Sequence, residues 1–484
     1  MTSSRFGRPL GQEPPPTPAE QFPAVAPGGL RPRRRDTRAS STPERINPSI
    51  PSLAAPALVV LAAEPLYLLV DTAVVGNLGT VSLGGLAVGG GLLAYVAALL
   101  NFLAYGTTAR AARRAGAGDR AGAVEEGVQA TWLAAGLGVL LAAAFQLLAG
   151  PLTRLLAGGA GPVAEAAEQW LRVASPGLPL LLVALAGNGW LRGVQELRRP
   201  VRYVLAGSLV SLVLCPLLVH TAGLGLVGSA LANLAGQAVS ATCFGCALVR
   251  ELTRQGIPWR PRWAALCAQL LLGRDLLVRA AVLQFAFAAA AAVVARSGTA
   301  ELGAHQVALQ LWLFLALVLD AYAIAAQTLV GHALGAGRPE DARRTARRVS
   351  AWGLGTGVVV AAALLALRPV LPPLFTDDAA VLAQAAVVWW FLALMQPLAG
   401  VVFALDGVLM GAGDVAYLRT VTIGSALVGF LPLSLLSGWL GWGLPGVWTG
   451  LTLFIVLRLV AVGVRVAGDR WLGEPGAAAG TLGT

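Results

Sequence analysis

The sequence has no lysine and few charges of any kind. All 35 of its basic residues are arginine, and only 12% of its 484 residues are charged, against 56% that are hydrophobic. This composition excludes a soluble globular domain and predicts a polytopic membrane protein. Without lysine, the chain cannot form a Gly-x4-Gly-Lys-Ser/Thr phosphate-binding loop, so we expect no nucleotide partner and no ATP hydrolysis.

Metal-binding and catalytic patterns are also missing. The three histidines are scattered, and Cys243-Phe-Gly-Cys246 has no second Cys or His pair at a metal-binding spacing. The sequence has neither the Gly-x-Ser-x-Gly turn nor the His-Glu-x-x-His pattern that two large classes of hydrolase use. We therefore expect no catalytic residues, no bound metal and no cofactor.

Twelve apolar segments can each cross a bilayer, which takes about 20 residues of helix. In chain order, the predicted spans are 50–76, 84–108, 126–149, 166–191, 201–220, 225–249, 276–296, 302–330, 349–371, 383–411, 418–437 and 443–466. The sequence thus predicts an all-α membrane protein with twelve transmembrane helices.

The arginines predict the orientation of these spans. With the N-terminus inside, Arg154, Arg172, Arg296 and Arg368 fall outside, and the other 31 of the 35 arginines are counted on the inner side. Positive residues concentrate in inner loops, so we expect both termini in the cytoplasm and a multi-pass protein of the inner (plasma) membrane. The same distribution accounts for the net charge of +11 without a nucleic-acid partner.

The layout divides the chain into five regions. Residues 1–45 are rich in Pro and Arg and predict a disordered cytoplasmic tail. The other predicted regions are an N-lobe of six helices at 46–249, a cytoplasmic linker at 250–274, a C-lobe of six helices at 275–466 and a second tail at 467–484.

The two sets of six spans repeat each other. Ala115-Gly116-Ala117-Gly118 corresponds to Leu334-Gly335-Ala336-Gly337 at an offset of 219, and Asn188-Gly189 corresponds to Asp406-Gly407 at an offset of 218. Because six is an even number, the halves keep one orientation and form parallel repeats about an axis along the membrane normal. Transporters of this kind bind substrate between their halves and expose it to the two sides in turn.

The intramembrane acids differ between the halves. Glu64 and Asp71 are the only charges of the first span. The second half has acids where the first half has asparagine: Asp320 corresponds to Asn101, and Asp406 to Asn188. A carboxylate inside a membrane costs roughly 2.5–3.5 kcal/mol on insertion scales and by default marks an ion or proton path. The different positions of the acids in the two halves indicate two distinct functions, such as ion coupling in one lobe and substrate or proton handling in the other.

Asp71 is the strongest functional candidate. Glu64 and Asp71 are spaced i, i+7, so both project from one stripe of the helix, and Pro65 should bend the helix between them. We interpret both acids as proton- or cation-coupling residues. The alternatives are a structural hydrogen-bonded role for Asp71 and a role for Glu64 in stabilising the bend.

These motifs resemble those of the multidrug and toxic compound extrusion (MATE) transporters, and within them the DinF-type branch. The resemblance covers residues from about 46 to 466. Its motifs include Glu64-Pro65-Leu-Tyr-Leu-Leu-Val-Asp71-Thr72, Asn188-Gly189-Trp-Leu-Arg192-Gly193, Leu319-Asp320-Ala-Tyr and Leu405-Asp406-Gly407. It implies a V-shaped bundle of two lobes that exports organic, often cationic or amphipathic compounds in exchange for H⁺ or Na⁺. It also implies that Asp71 carries the N-lobe cation or proton site and that Asp406 is linked to transport.

The fifth span departs from the family pattern. Relatives with a well-formed N-lobe Na⁺ site often have Asn, an Asp four residues later and then Pro, whereas this chain has Ser211, Cys215 and Pro216. Sodium favours several hard oxygen ligands, and a thiol is soft. We therefore expect H⁺ coupling through Asp71, since a lone buried carboxylate can take up and release a proton. Its candidate polar neighbours are Glu64, Asn188, Ser211 and Asn233.

The sequence therefore predicts a secondary active antiporter that exports organic, cationic or amphipathic small molecules in exchange for H⁺ and works as a monomer in the lipid bilayer. The candidate path residues are Asn101, Asn188, Ser211, Asn233, Asp320 and Asp406. Two alternatives stay open. One is Na⁺ coupling; the other is a lipid-linked precursor flippase of the same wider superfamily. A flippase would need a cationic cavity for pyrophosphate, whereas the predicted intramembrane charges are mostly acidic.

Overall fold

The computed structural model describes residues 50–472, which are almost entirely helical. Twelve helical units in this range are long and apolar enough to cross a membrane. The predicted fold class, an all-α protein with twelve membrane-spanning helices, is confirmed. The predicted tail at 1–45 and most of the tail at 467–484 lie outside the described residues.

Six of the spanning units form the first half of the fold. Its helices are α1 (Ile50–Gly76), α2 (Thr80–Leu100), α3 (Phe102–Gly116), α4 (Arg120–Leu156), α5 (Pro162–Ala174), α6 (Leu178–Gly193), α7 (Arg198–Pro216) and α8 (Gly225–Gln255). The second span is α2 and α3, separated at Asn101, and the fourth is α5 and α6, joined by a 3₁₀ turn at Ser175–Gly177. Pro176 has no backbone N–H to donate, which favours this interruption.

The second half contains the other six units. Its helices are α9 (Trp263–Ser297), α10 (Thr299–Gly335), α11 (Pro339–Ala366), α12 (Ala379–Ala412), α13 (Val415–Ser425), α14 (Leu431–Leu440) and α15 (Gly443–Ala467). A π-helical turn at Ala426–Phe430 joins α13 to α14, and a matching π-helical turn at Leu217–Thr221 follows α7 in the first half. The fifth and eleventh spans thus share an unusual feature, as parallel repeats should.

Several helices are longer than the predicted spans at the end of the molecule that carries most arginines, which we call the arginine-rich end. There α3 continues to Gly116, and α11 begins at Pro339. Charged residues end an apolar run, but Arg and Glu are good helix formers, so the helix continues past the apolar run. The ninth span ends earlier than predicted, at Ala366. Pro369, Pro372 and Pro373 follow closely and remove backbone donors.

The predicted linker is mostly helical. Of residues 250–274, only 256–262 lie outside α8 and α9. Gly256 ends α8 in a left-handed conformation, with φ of 65°. The side-chain amide of Gln129 then donates to the Arg260 carbonyl oxygen over 2.9 Å and accepts from the Arg262 backbone N–H over 2.7 Å. This amide holds the connection between the halves against α4.

The sequence repeat places equivalent helix crossings in the two halves. Gly189 of α6 packs on the backbone of Ala104 in α3, and Gly407 of α12 packs on Ala323 in α10. A Cβ atom at either glycine would overlap the carbonyl oxygen of the facing alanine. Small residues let membrane helices approach this closely, which explains why these two positions align in the sequence.

A further glycine pair lies where the two halves meet, and we call it the glycine crossing. Gly116 of α3 faces the backbone of His332, and Gly335 of α10 faces the backbone of Arg113. A Cβ atom at either position would overlap the facing carbonyl oxygen. The guanidinium of Arg113 also donates to the carbonyl oxygen of Ala412 at the end of α12. The halves therefore touch backbone to backbone at the arginine-rich end.

We expect Gly335→Val to separate the halves at this end. The added side chain would overlap the Arg113 carbonyl oxygen, so α3 and α10 must move apart. Spin labels at Arg120 and Arg344, whose side chains are 73% and 71% exposed, report the distance between the halves. The distance distribution should shift to longer values by a few Å, about the size of the added side chain.

The matched control is Gly355→Val. Gly355 lies inside α11, and a Cβ atom there would meet nothing within 4 Å. This variant should leave the distance distribution unchanged. Equal distributions for Gly335→Val and Gly355→Val would mean that the glycine crossing does not hold the halves together. Both measurements use a background in which the exposed thiols of Cys246 and Cys267 are replaced by serine.

Candidate functional site

Two cavities lie between the membrane helices. The first-half cavity, of about 380 Å³, is lined mainly by α1, α2, α6, α7 and α8, with Leu317 of α10 added from the second half. The interface cavity, of about 210 Å³, lies between α2 and α3 of the first half and α9, α10 and α12 of the second. Ala98 and Asn101 line both, so the two cavities meet where α2 ends and α3 begins. The larger cavity falls within the usual size range of small-molecule sites, roughly 300–1,000 Å³.

The structure brings the predicted path residues to these two cavities. Asn188, Ser211 and Asn233 line the first-half cavity, and Asp320 and Asp406 line the interface cavity. Asn101, predicted as a path residue, lines both. Most of the remaining wall of the first-half cavity is apolar. The two connected cavities thus bring together residues that are up to 305 positions apart in sequence, from Asn101 to Asp406. The roles of these residues stay predictions.

Asp71 lies one helical turn beyond the first-half cavity. Tyr67 lines the cavity, and Asp71, four residues further along α1, is only 1% exposed. The thiol of Cys215 donates a hydrogen bond to Asp71 Oδ1 over 3.2 Å. The hydroxyl of Ser229 is a second hydrogen-bond partner of this carboxylate. Trp170 supports that hydroxyl from behind, with its indole Nε1 donating to Ser229 Oγ over 3.2 Å.

The predicted neighbours of Asp71 need correction. Ser211 donates to the carbonyl oxygen of Ala232 over 3.0 Å instead of facing the acid. Asn233 lies near the hydroxyl of Tyr67, one turn away from Asp71. Asn188 lines the cavity, and its Oδ1 is buried without a hydrogen-bond partner in the described part of the chain. The side chain of Glu64 lies outside what the structure describes, although its backbone belongs to α1.

Ser229 was not among the predicted site residues, although the sequence contains a pattern that indicates its position. Tyr67 and Asp71 are spaced i, i+4 on α1, and Asn233 and Ser229 are spaced i, i+4 in reverse order on α8. Two antiparallel helices with this spacing place Tyr67 opposite Asn233 and Asp71 opposite Ser229. The prediction placed Asn233 beside the acid because it considered polar residues singly, without their register.

Five charged side chains gather around the interface cavity, and we call them the arginine–aspartate cluster. Its members are Arg192 on α6, Arg279 on α9, Asp320 on α10, Asp406 on α12 and Arg458 on α15. One oxygen of Asp406 accepts from the guanidinium groups of both Arg279 and Arg458. Asp320 Oδ2 accepts from the hydroxyl of Tyr105 over 2.6 Å. The cluster therefore joins both halves through α3, α6 and the helices of the second half.

The cluster has more positive than negative groups. It holds three guanidinium groups against two carboxylates, and Arg192 and Arg458 are only 5% and 3% exposed. Arg192 interacts electrostatically with Asp320, yet its Nη2 is buried without a hydrogen-bond partner among the described residues. An arginine at the centre of a membrane helix costs roughly 2.5–3.5 kcal/mol on insertion scales. Such a surplus of buried positive charge requires an explanation.

The arginines of the cluster are functional candidates that were not among the predicted site residues. Arg279 and Arg458 fall inside the predicted spans 276–296 and 443–466, yet they were counted with the inner loops as orientation signals. The structure places both within continuous helices, α9 and α15, with their guanidinium groups on Asp406. The expectation that the intramembrane charges are mostly acidic is therefore wrong for the described residues. Separating arginines inside spans from arginines that flank them would have made both candidates, but their common contact with Asp406 depends on tertiary packing.

Comparisons with known proteins agree with this architecture. The MatE family model matches residues 56–217 and 276–435, one range in each half. Protein DETOXIFICATION 44, chloroplastic, of Arabidopsis thaliana is 32% identical, over 92% of this chain and 89% of that protein. DNA damage-inducible protein F of Escherichia coli is 32% identical, over 84% of this chain and 89% of that protein. The solved structure of a MOP superfamily transporter from Pyrococcus furiosus superposes with a TM-score of 0.78, at 23% identity, over 87% of this chain and 94% of that one.

Proposed function

The chain belongs to the MatE family of membrane transporters, and we propose that it exports amphipathic organic small molecules by antiport with H⁺. The observation that carries this proposal is the position of Asp71, which is buried one helical turn from a cavity of about 380 Å³. A buried acid beside a substrate-sized cavity can couple its own protonation to what the cavity holds.

The donor set around Asp71 supports H⁺ over Na⁺. The acid is surrounded by the thiol of Cys215 and the hydroxyl of Ser229, and no second carboxylate is among the partners described for it. Sodium is a hard cation that binds several oxygen ligands, whereas a proton needs only one carboxylate oxygen. H⁺ as the coupling ion therefore requires nothing beyond the residues present.

Protonation would act through the hydrogen bonds of Asp71. The ionised carboxylate accepts from Cys215 on α7 and Ser229 on α8, while the protonated acid has a hydrogen of its own to donate. The change of partners alters how α1, α7 and α8 pack beside Tyr67 and Asn233, which line the cavity. Coupling requires only that the proton bind more tightly in one of two conformations than in the other.

The same proposal includes location and assembly. The arginine distribution supports a protein of the inner (plasma) membrane. It also supports an orientation with both termini in the cytoplasm. Both cavities are lined by residues of a single chain, which supports a functional monomer. That no nucleotide or nucleic acid takes part stays a prediction. The cationic or amphipathic cargo that the family resemblance implies stays a prediction.

A lipid-linked precursor flippase is the second candidate. The cationic surface that such a protein needs for pyrophosphate was expected to be missing, but Arg192 and Arg279 supply positive charge at the cavities. The family match over both halves favours the exporter.

Reconstituted vesicles test the proposal. The purified chain is inserted into liposomes, and a pH gradient or a Na⁺ gradient at clamped pH is imposed separately. Uptake is followed for a panel of fluorescent amphipathic compounds that includes cations and anions. We expect the pH gradient to drive accumulation of at least one compound above protein-free vesicles, and the Na⁺ gradient to drive none.

Two results would contradict the proposal. Accumulation driven by Na⁺ at clamped pH would retain the exporter and replace the coupling ion. Movement of a fluorescent pyrophosphate-linked lipid between leaflets, with no accumulation of any soluble compound, would favour the flippase.

A further inference from the structure

The proposed coupling through Asp71 makes no use of the arginine–aspartate cluster. Two of its arginines face cavities: Arg192 lines the first-half cavity, and Arg279 lines the interface cavity. Both act electrostatically on the same acid, Asp320. Asn101, whose side chain borders both cavities, lies where the two cavities meet. The cluster therefore lies beside the junction of the two cavities, with Arg192 facing one cavity and Arg279 facing the other.

The acids of the cluster are already engaged. One oxygen of Asp406 accepts from the guanidinium groups of Arg279 and Arg458, and Asp320 accepts from the hydroxyl of Tyr105 over 2.6 Å. The other oxygen of Asp406, Oδ1, is buried without a hydrogen-bond partner among the described residues, but the guanidinium groups of Arg279 and Arg458 lie on the same carboxylate and would repel a cationic ligand there. The acids at the interface cavity are thus poorly prepared to bind a cation.

The arginines, in contrast, have unused donors. Arg192 is 5% exposed, and its Nη2 has no hydrogen-bond partner in the part of the chain that the structure describes. A buried guanidinium group binds carboxylates and phosphates through several parallel N–H donors. Three guanidinium groups against two carboxylates leave positive charge that a bound anion would balance.

We infer that the transported compound carries an anionic group and that this group binds at the junction of the two cavities, between Arg192 and Arg279. The amide of Asn101 offers a further donor there, and the apolar wall of the first-half cavity, which includes Val60, Leu61 and Leu181, receives the hydrophobic part. The substrate class is an amphipathic organic anion. This inference rests on the proposed function, because it names the cargo of the same exporter.

The anionic cargo has an electrical consequence. Exchange of one H⁺ for one monovalent anion moves two elementary charges across the membrane in the same electrical sense. Exchange of one H⁺ for one monovalent cation moves none. An imposed potential therefore changes the initial rate of anion export and leaves the rate of cation export unchanged.

Binding of three matched probes to the detergent-solubilised protein tests the inference. The probes are 1-naphthoate, 1-naphthylmethylammonium and neutral 1-naphthalenemethanol, which share one ring system, and calorimetry gives each affinity. We expect 1-naphthoate to bind at least about tenfold more tightly than the ammonium compound, as charge-assisted hydrogen bonds allow. Arg192→Gln should remove that advantage, and Arg192→Lys should restore part of it. The matched control is Arg254→Gln. The Arg254 side chain is 68% exposed, so this variant should leave the affinity for 1-naphthoate unchanged.

Binding of 1-naphthalenemethanol shows that a variant still has a folded cavity. Equal or tighter binding of the ammonium compound to the wild type would overturn the inference. So would unchanged 1-naphthoate affinity in Arg192→Gln, or binding of the neutral probe without the anion. These measurements involve no ion gradient, so they can succeed or fail separately from H⁺ coupling. In vesicles, an export rate for 1-naphthoate that does not change when a membrane potential is imposed would also contradict the inference.

Discussion

Asp71→Asn is expected to reduce proton-driven export to the rate of protein-free vesicles while the protein still folds and inserts. Asparagine has the shape of aspartate, and its carbonyl oxygen can still accept from the Cys215 thiol, which lies 3.2 Å from Asp71 Oδ1. It cannot bind a proton in the range of physiological pH. Uptake into vesicles under a pH gradient measures the loss, and size-exclusion profiles and thermal unfolding report the fold.

Cys215→Ser is the matched control for this variant. Serine keeps a donor beside the carboxylate and removes only the sulfur, so proton-driven export should continue. Serine also adds a hard oxygen ligand, so a new response to Na⁺ in Cys215→Ser would indicate that the thiol excludes that ion. Normal pumping by Asp71→Asn would assign this acid a structural role and remove it from coupling.

Asp406→Ala is expected to destabilise the folded protein by about 3–5 kcal/mol, the range for breaking a buried ion pair from one side. Asp406 is 2% exposed and is the common partner of Arg279 and Arg458, so its removal leaves two guanidinium groups without their carboxylate. The free energy of unfolding in detergent, from denaturant titration, measures the loss. Low yield of folded protein would be the first sign of it.

A double-mutant cycle identifies the cause. If the loss comes from unpaired charge, Asp406→Ala combined with Arg458→Leu should recover part of the stability that Asp406→Ala removes. Asp414→Ala is the control: this acid pairs with Arg465 over 2.7 Å where both side chains are about a fifth exposed. Its loss should cost about 1 kcal/mol or less. Equal losses for Asp406→Ala and Asp414→Ala would mean that the cluster contributes little to stability.

The fold could be predicted from the sequence because the membrane leaves few choices. Apolar length gave the twelve spans, and the offset of 218–219 aligned Gly189 with Gly407 and Gly116 with Gly335. The structure explains that alignment, since all four positions are helix contacts with no room for a Cβ atom. Close contacts between helix backbones require small residues, and these form a pattern that can be recognised in the sequence.

The candidate site could be predicted only in part. Asp71 stood out because an acid in an apolar span is costly in any arrangement. Arg279 and Arg458 did not, because an arginine near a span end that extends to the interface has the same sequence pattern as one that faces a buried acid. Which of the two occurs depends on tertiary packing: α9, α12 and α15 bring both arginines to Asp406. Ser229 was missed for a similar reason, since its role depends on the register of α8 against α1.

The aspartates of the second half illustrate how the repeats have diverged. Asn101 separates α2 from α3, whereas the corresponding Asp320 lies inside the continuous helix α10. The same position thus interrupts a helix in one half and carries a charged group in the other. The interface cavity contains both residues, so its two walls differ in polarity although they descend from one repeat.

The glycine crossing also differs in its dynamics from a contact made of side chains. Side-chain rotations occur in picoseconds to nanoseconds, and a seal made of side chains opens briefly each time one rotates. At Gly116 and Gly335 no side chain lies between the backbones of α3 and α10, so rotations there cannot open a path. Water and ions can pass this point only when whole helices move apart, a movement of microseconds to milliseconds. This contact between the two halves therefore opens on the timescale of helix movement, and not on that of side-chain rotation.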